Sequence, residues 1–165
     1  METGSGVRTV RSADLSGPDA RTVSRLVEAY LMETEREKAA HLGGTFDDTV
    51  LPDRYRDEID APEVAYRNAA VYIAELGHAP AGVVVVQKTA ATREIKRFWV
   101  EPDARGHRVG SALMDAAMQE KDLPIRLTVW DWRDDPIRMY AKRGFIPVPS
   151  WEDRPRLLCM ETDPA

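Results

Sequence analysis

The densest apolar stretch of the chain, Val83 to Val86, holds four consecutive β-branched residues inside Ala81 to Lys88, and apolar character on both faces marks a covered, central strand. Before it, Ala70 to Glu75 reads as an antiparallel partner joined through Gly77-His78-Ala79-Pro80. After it, a turn near Ala90-Ala91-Thr92 leads to a further strand, Glu94 to Val100. Helical periodicity governs two other regions. Ala20, Val23, Leu26, Val27, Tyr30 and Leu31 form one stripe, opened by Ser16-Gly17-Pro18-Asp19, where Ser16 reads as the cap, and closed by Gly43-Gly44. Val109, Leu113, Ala116 and Ala117 form another within Val109 to Glu120, ended by Asp122-Leu123-Pro124.

The remaining elements are shorter. Gly6 to Arg11 reads as a first strand, Arg126 to Trp130 as a later one, and Asp135 to Arg143 as a helix capped by Gly144. Phe145 to Val148 and Arg156 to Met160 close the chain as a strand pair. Between Gly43 and Glu63 the chain turns acidic, with a short helix allowed over Pro52 to Asp60. That segment is either a solvated surface or an acidic rim that attracts an amine. The order β, α, (α), β, β, β, α, β, α, β, β is an α/β (mixed α+β) pattern, a mixed sheet with helices on its faces. A chain of 165 residues is expected to be one domain, 1–165.

Composition narrows the function classes. Hydrophobic residues are 43% and charged residues 31%, ordinary for a globular protein, and no apolar run approaches the roughly 18 residues of a membrane span. METGSGVRTV lacks the apolar core of a signal peptide, so the cytoplasm is the expected compartment and no membrane partner is expected. A net charge of −5 argues against a nucleic-acid partner. His41, His78 and His107 are far apart, so no metal is expected, and the lone Cys159 reads as a small buried hydrophobe.

One stretch carries chemistry. Glu94 to Leu113 reads as a strand, a turn at Glu101-Pro102, a loop Arg105-Gly106-His107-Arg108-Val109-Gly110, and a helix. Backbone N–H groups and the positive end of a helix dipole converge there, which suits a phosphate.

Strand, loop and helix, followed by Tyr140-x-x-x-Gly144-Phe145, resemble the GNAT superfamily of acyl-CoA-dependent N-acyltransferases. The resemblance implies a mostly antiparallel mixed sheet of six to seven strands flanked by about four helices. It implies acetyl-CoA as co-substrate, its diphosphate held by Arg105, Gly106, His107, Arg108, Val109, Gly110 and Ser111, with glycines that let the backbone approach. Phe98 and Val100 lie on the strand that splays from its neighbour, often at a bulge, and receives pantetheine, with the Phe98 amide facing the thioester carbonyl. Tyr140 matches the general acid that protonates the leaving thiolate. Glu94 matches a glutamate that works through water as the base; the other reading is a charge paired with Lys96 or Arg97, and Asp131 is the second candidate.

Departures from the family pattern are Arg108 in place of a loop glycine, Arg133 in place of an asparagine, and Pro136 in place of an alanine. The acceptor, a small-molecule amine, is expected at Tyr30, Trp130 and Asp131, with Trp99, Trp130, Trp132 and Trp151 lining a pocket or else packing the core. An acylated carrier protein is the alternative donor, with Arg105, Arg108, Lys142 and Arg143 as the basic surface it would need. A non-catalytic acyl-CoA-binding module is the third reading. A homodimer is compatible with all of these.

Overall fold

A computed structural model describes residues 8–162 of the chain. Seven strands form a single sheet in the order β1-β2-β3-β4-β5-β7-β6. They are β1 (Arg8–Ser12), β2 (Ala69–Leu76), β3 (Ala79–Lys88), β4 (Arg93–Val100), β5 (Ile125–Trp130), β6 (Ile146–Val148) and β7 (Leu157–Thr162). Every neighbouring pair is antiparallel except β4 and β5, which run parallel. The expected start of β1 at Gly6 lies outside the described residues; the visible strand runs one residue past its expected end at Arg11.

The valine run behaves as its composition requires. Val84 and Val86 enter one core with α4 (Val109–Ala117), while Val83 and Val85 enter a second core with α1 (Asp19–Leu42) on the opposite face. The α4 core also takes Tyr140 of α5 (Asp134–Lys142) and Phe145. Two layers of helix therefore sandwich the sheet, and burial of both strand faces supplies the main driving force.

Several expectations are corrected. Ser16 does not cap α1: its hydroxyl donates to Asp14 Oδ1 at 2.6 Å, and Asp19 instead receives Arg11 Nη1 at 2.7 Å and the Asp14 amide at 2.8 Å. α4 stops at Ala117, short of Glu120, and buries Met114, with Ala116 only half-buried. A helix that short turns its core face by 3.6-residue steps, so Met114, beside Leu113, takes the inner position. Gly77 and His78 alone make the β2–β3 turn, since Ala79 and Pro80 already belong to β3. The acidic segment folds into α2 (Arg56–Asp60) and a further turn, α3 (Pro62–Ala65), that the sequence pattern did not announce.

Within that segment Glu58 is no rim residue. Arg97 Nε and Nη2 each donate to it at 2.8 Å, and the Tyr66 hydroxyl donates at 2.6 Å. Burial alone would raise the Glu58 carboxyl, but the Arg97 fork and Tyr66 outweigh it and hold it below its ordinary value of 4.5. On the opposite sheet face, Arg93 Nε and Lys88 hold exposed Asp122 down from 3.8 to about 2. Both carboxyls are depressed in the folded state, so their stabilisation is complete above the unfolded values of 4.5 and 3.8 and is lost as pH falls through the folded ones. Melting temperature is therefore expected to hold above pH 4.5 and to drop toward pH 2, with Glu58→Gln flattening the upper part of the fall. An unchanged melting temperature over that window would contradict the assignment.

Candidate active site

The parallel pair β4–β5 is short. It pairs only Arg93 with Ile125, Glu94 with Arg126 and Ile95 with Leu127. Opposite β3, the β4 register slips between Val85 and Val86, whose partners are Arg97 and Ile95, so Lys96 is the extra residue of a bulge. A bulge bends its strand and increases twist. Beyond it, β4 stays with β3 to Val100, and β5 goes with β7 to Trp130, so the two strands part like a fork. From Lys96 onward the β5-facing edge of β4 has no strand to pair with, and backbone groups there are free for a ligand.

A cavity of about 50 Å³ sits in the fork. Ile95, Lys96 and Phe98 line it from β4, and Leu127, Thr128 and Val129 from β5. Tyr30, Arg133, Pro136 and Tyr140 close it. Tyr140 is 6% exposed and packs edge-on against Phe98 at 6.3 Å and Phe145 at 5.9 Å between ring centroids. Among the described residues its hydroxyl has no hydrogen-bond partner, yet it is not among the buried unpartnered side-chain atoms. Burial pushes this hydroxyl above its ordinary value of 10.0, the proximity of Tyr30 adds to the rise, and Arg133 opposes it. A group so placed keeps its proton across the physiological range and is available as a proton donor.

The cavity opens into a groove of about 810 Å³ that shares Tyr30, Phe98, Arg133 and Pro136 with it. One wall is Val100 and the loop residues Arg105, Gly106, Arg108, Val109 and Gly110; the other is the start of α5 with Met139 and Arg138. Gly106 has φ +84° and open space where a Cβ would lie, so its backbone conformation favours glycine. At Gly110 a Cβ would meet Phe98 Cζ at 3.4 Å, so the requirement there is helix-to-strand packing. Arg108 caps α4 at φ 61°, ψ 22°, the left-handed region. This is the position at which the family pattern has glycine, and the backbone explains why. His107 and Ser111 do not line the groove; their carbonyls accept from Arg8 at 3.2 Å and Arg143 at 3.1 Å.

Other expected site residues stand apart. Trp130 and Asp131 line neither cavity. Trp130 is 6% exposed and stacks on Trp132 at 4.9 Å, which stacks on His41 at 4.4 Å. Asp131 is taken by Arg156, whose Nε donates at 3.0 Å. Glu94 also lies outside both linings, with Arg126 Nη2 at 3.5 Å and Lys96 Nζ at 3.7 Å from its carboxylate. Trp99 packs with α1 and also lines the groove, Trp132 lines the groove, and Trp151 is exposed.

The sequence reading missed Glu33 and Glu37 on the groove wall. Glu37 accepts from Arg133 Nη2 at 2.6 Å and from Trp132 Nε1 at 3.1 Å, and Thr34 Oγ1 accepts from Arg133 Nη2 at 2.9 Å. Partners 96 positions apart leave no local pattern; only the interruption of α1 by charge at helical positions hinted at a polar contact.

Among the described residues no group of His, Cys, Asp and Glu is arranged to hold a metal ion, and no helix is long and apolar enough to cross a membrane. Residues 67–147 match the family model described as the GNAT acetyltransferase domain. The same fold appears in PaiA N-acetyltransferase from Thermoplasma acidophilum, in complex with coenzyme A, at 16% identity over 95% of this chain and 99% of that one, with a TM-score of 0.69. A GNAT-family acetyltransferase from Staphylococcus aureus shares 13% identity over 96% and 100%, with a TM-score of 0.68. A GNAT-family acetyltransferase from Elizabethkingia anophelis with acetyl-CoA bound shares 15% over 94% and 97%, with a TM-score of 0.61. No curated protein sequence matches the chain. Residues 67–147 thus carry a match to the GNAT acetyltransferase domain, and nearly the whole chain shares its fold with these acetyltransferases.

Proposed function

We propose that this protein transfers an acetyl group from acetyl-CoA to the amine of a small molecule, by direct attack within a ternary complex. The observation that carries this reading is the fork: free β4 edge, Tyr140 and anion-type loop lie along one continuous groove. Similarly folded enzymes holding coenzyme A and acetyl-CoA support the donor. The groove has the volume for an extended thioester, while the cavity at its end is small enough to favour a short acyl group.

In the reaction the amine nitrogen attacks the thioester carbonyl, and the oxygen that gains charge is met by a β4 amide, our candidate being that of Phe98. The C–S bond breaks and the thiolate takes the Tyr140 proton; the phenolate regains one from solvent. The amine loses its own proton to water or, through water, to Glu94. Lys96 and Arg133 at the cavity favour the neutral, nucleophilic amine, because a nearby cation disfavours an ammonium. Holding both reactants at the fork supplies much of the rate.

Thiol release from acetyl-CoA across a panel of amines, with product mass, tests the reading. Amine-dependent release with an acetylated product is expected; neither release nor coenzyme A binding would overturn it. For the donor, Arg105 and Arg108 line the groove, but Arg105 Nε is spent on the Val100 carbonyl at 3.2 Å and Arg143 is held by Asp115 and the Ser111 carbonyl. Two of the four basic residues that a carrier protein would meet, Arg105 and Arg143, are thus engaged within the protein, which favours free coenzyme A.

Arg108 supplies a separate prediction. A non-glycine residue in the left-handed region costs roughly 1–2 kcal/mol. Arg108→Gly is expected to raise stability by up to about 1 kcal/mol, since glycine also loosens the unfolded chain. It should weaken coenzyme A binding about tenfold through loss of a charged phosphate contact. Denaturant melts and calorimetry read the two effects; unchanged affinity would remove Arg108 from the donor site.

A further inference from the structure

We infer that the acceptor is an amine that also carries a carboxylate or phosphate, and that Arg126, assisted by Lys96, holds this anion on the open face of β4, β5 and β7. The inference rests on the acetyl-transfer reading above and specifies its acceptor. Strand register sets Glu94, Arg126 and Glu161 in one row across the three strands. The adjacent row, Ile95, Leu127 and Met160, belongs to the α4 core, so Arg126 points to the opposite side. The α1 core covers that side over β2, β3 and the far end of β4, and does not include the Arg126 row.

Arg126 is only loosely engaged there, its Nη2 3.5 Å from the Glu94 carboxylate. Its side chain is only 29% exposed, yet among the described residues none of its nitrogens makes a hydrogen bond, and Nε is the sole buried side-chain atom without a partner. The other arginines that make no hydrogen bond among the described residues, Arg21, Arg56, Arg67 and Arg108, are exposed to water. A guanidinium presents five donors in a fixed fork that matches a carboxylate or phosphate. The Trp151 ring lies against this guanidinium, 4.7 Å from Cζ to its centroid. Lys96 adds a second cation, 41% exposed and lining the small cavity; Glu94 lies 3.7 Å from it and 3.5 Å from Arg126, distances too long for strong pairing, and Glu161 is the other carboxylate of the Arg126 row.

The spacing specifies the ligand further. Thr128 lines the cavity, and Arg126 precedes it by two strand positions, about 6–7 Å. An amine in the cavity and an anion at Arg126 therefore belong to one molecule with several bonds between them.

With acetyl-CoA as donor, matched acceptors separate the possibilities: γ-aminobutyrate against its amide, and phosphoethanolamine against ethanolamine. The anionic member of a pair is expected to show about tenfold higher kcat/KM, as for a hydrogen-bonded charge pair. Arg126→Gln should raise KM for that member about tenfold and leave the uncharged one within about twofold. Whichever pair shows the larger preference assigns carboxylate or phosphate. Equal use of both members, or an equal loss with both in Arg126→Gln, overturns the inference. Independently of turnover, inorganic phosphate and acetate are titrated calorimetrically with coenzyme A saturating, which occupies the loop. Wild type should bind one of them and Arg126→Gln should not; no binding by wild type, or binding unchanged by the substitution, overturns it. Circular dichroism verifies that the variant is folded, and Arg126→Lys should retain part of the preference. Failure of coenzyme A itself to bind would instead overturn the underlying acetyl-transfer reading.

Discussion

Tyr140→Phe is expected to lower kcat about a hundredfold while leaving the KM for acetyl-CoA within about threefold, the range for loss of a positioned proton donor. Three observations set this expectation. Tyr140 lines the fork cavity beside Phe98, its hydroxyl has no protein partner among the described residues, and burial keeps it protonated. The same facts predict what will not change. Removing a hydroxyl that bonds nothing in the protein leaves the packing against Phe98 and Phe145 intact, so the melting temperature should stay within a degree or so of wild type. Because the hydroxyl titrates above 10.0, the alkaline limb of the kcat profile should carry no loss from Tyr140 below that pH. A variant with wild-type kcat would remove Tyr140 from the chemistry and leave it a packing residue.

Glu37→Ala is expected to have the largest effect on stability. It strips Arg133, whose side chain is 16% exposed, of its carboxylate and leaves Trp132 Nε1 without its acceptor. Removing one partner of a buried ion pair costs about 3–5 kcal/mol, and partial exposure here places the expectation near 3. For a domain of this size that corresponds to a fall of roughly 6–12 °C in melting temperature. Arg133 also lines the cavity and the groove, so kcat/KM should fall with it. Combining Glu37→Leu with Arg133→Met should destabilise less than Glu37→Ala alone, because no charge is left uncompensated. Additive losses in that pair would show that the contact is a solvated one of little weight.

The elements were legible where a local pattern forces them. Four valines in a row made β3 a covered strand, and Gly144, at φ +92°, ended α5 where a cap was expected. The loop from Arg105 to Gly110 and the pairing of Phe98 with Tyr140 at the cavity also followed from short motifs. What stayed hidden depends on register and long-range charge. No spacing rule connects Glu37 to Arg133 or Glu58 to Arg97, whereas the splay of β4 was implied by the family resemblance and the register slip at Lys96 locates it. Asp131 and Trp130 sit at the right end of β5, but Asp131 turns to Arg156 and Trp130 stacks on Trp132. Proximity in sequence to a site did not carry orientation. Arg126 is the converse: an unremarked strand residue becomes a candidate contact once the sheet sets its row and its missing partners are visible.

A crystal structure with acetyl-CoA bound tests the central claim most directly. Pantetheine is expected along the free edge of β4 between Lys96 and Val100, with the diphosphate at the loop from Arg105 to Gly110 and the thioester sulfur within about 3 Å of the Tyr140 hydroxyl, the reach of a proton donor. A donor bound elsewhere, or one whose thioester lies outside the β4–β5 fork, would contradict it.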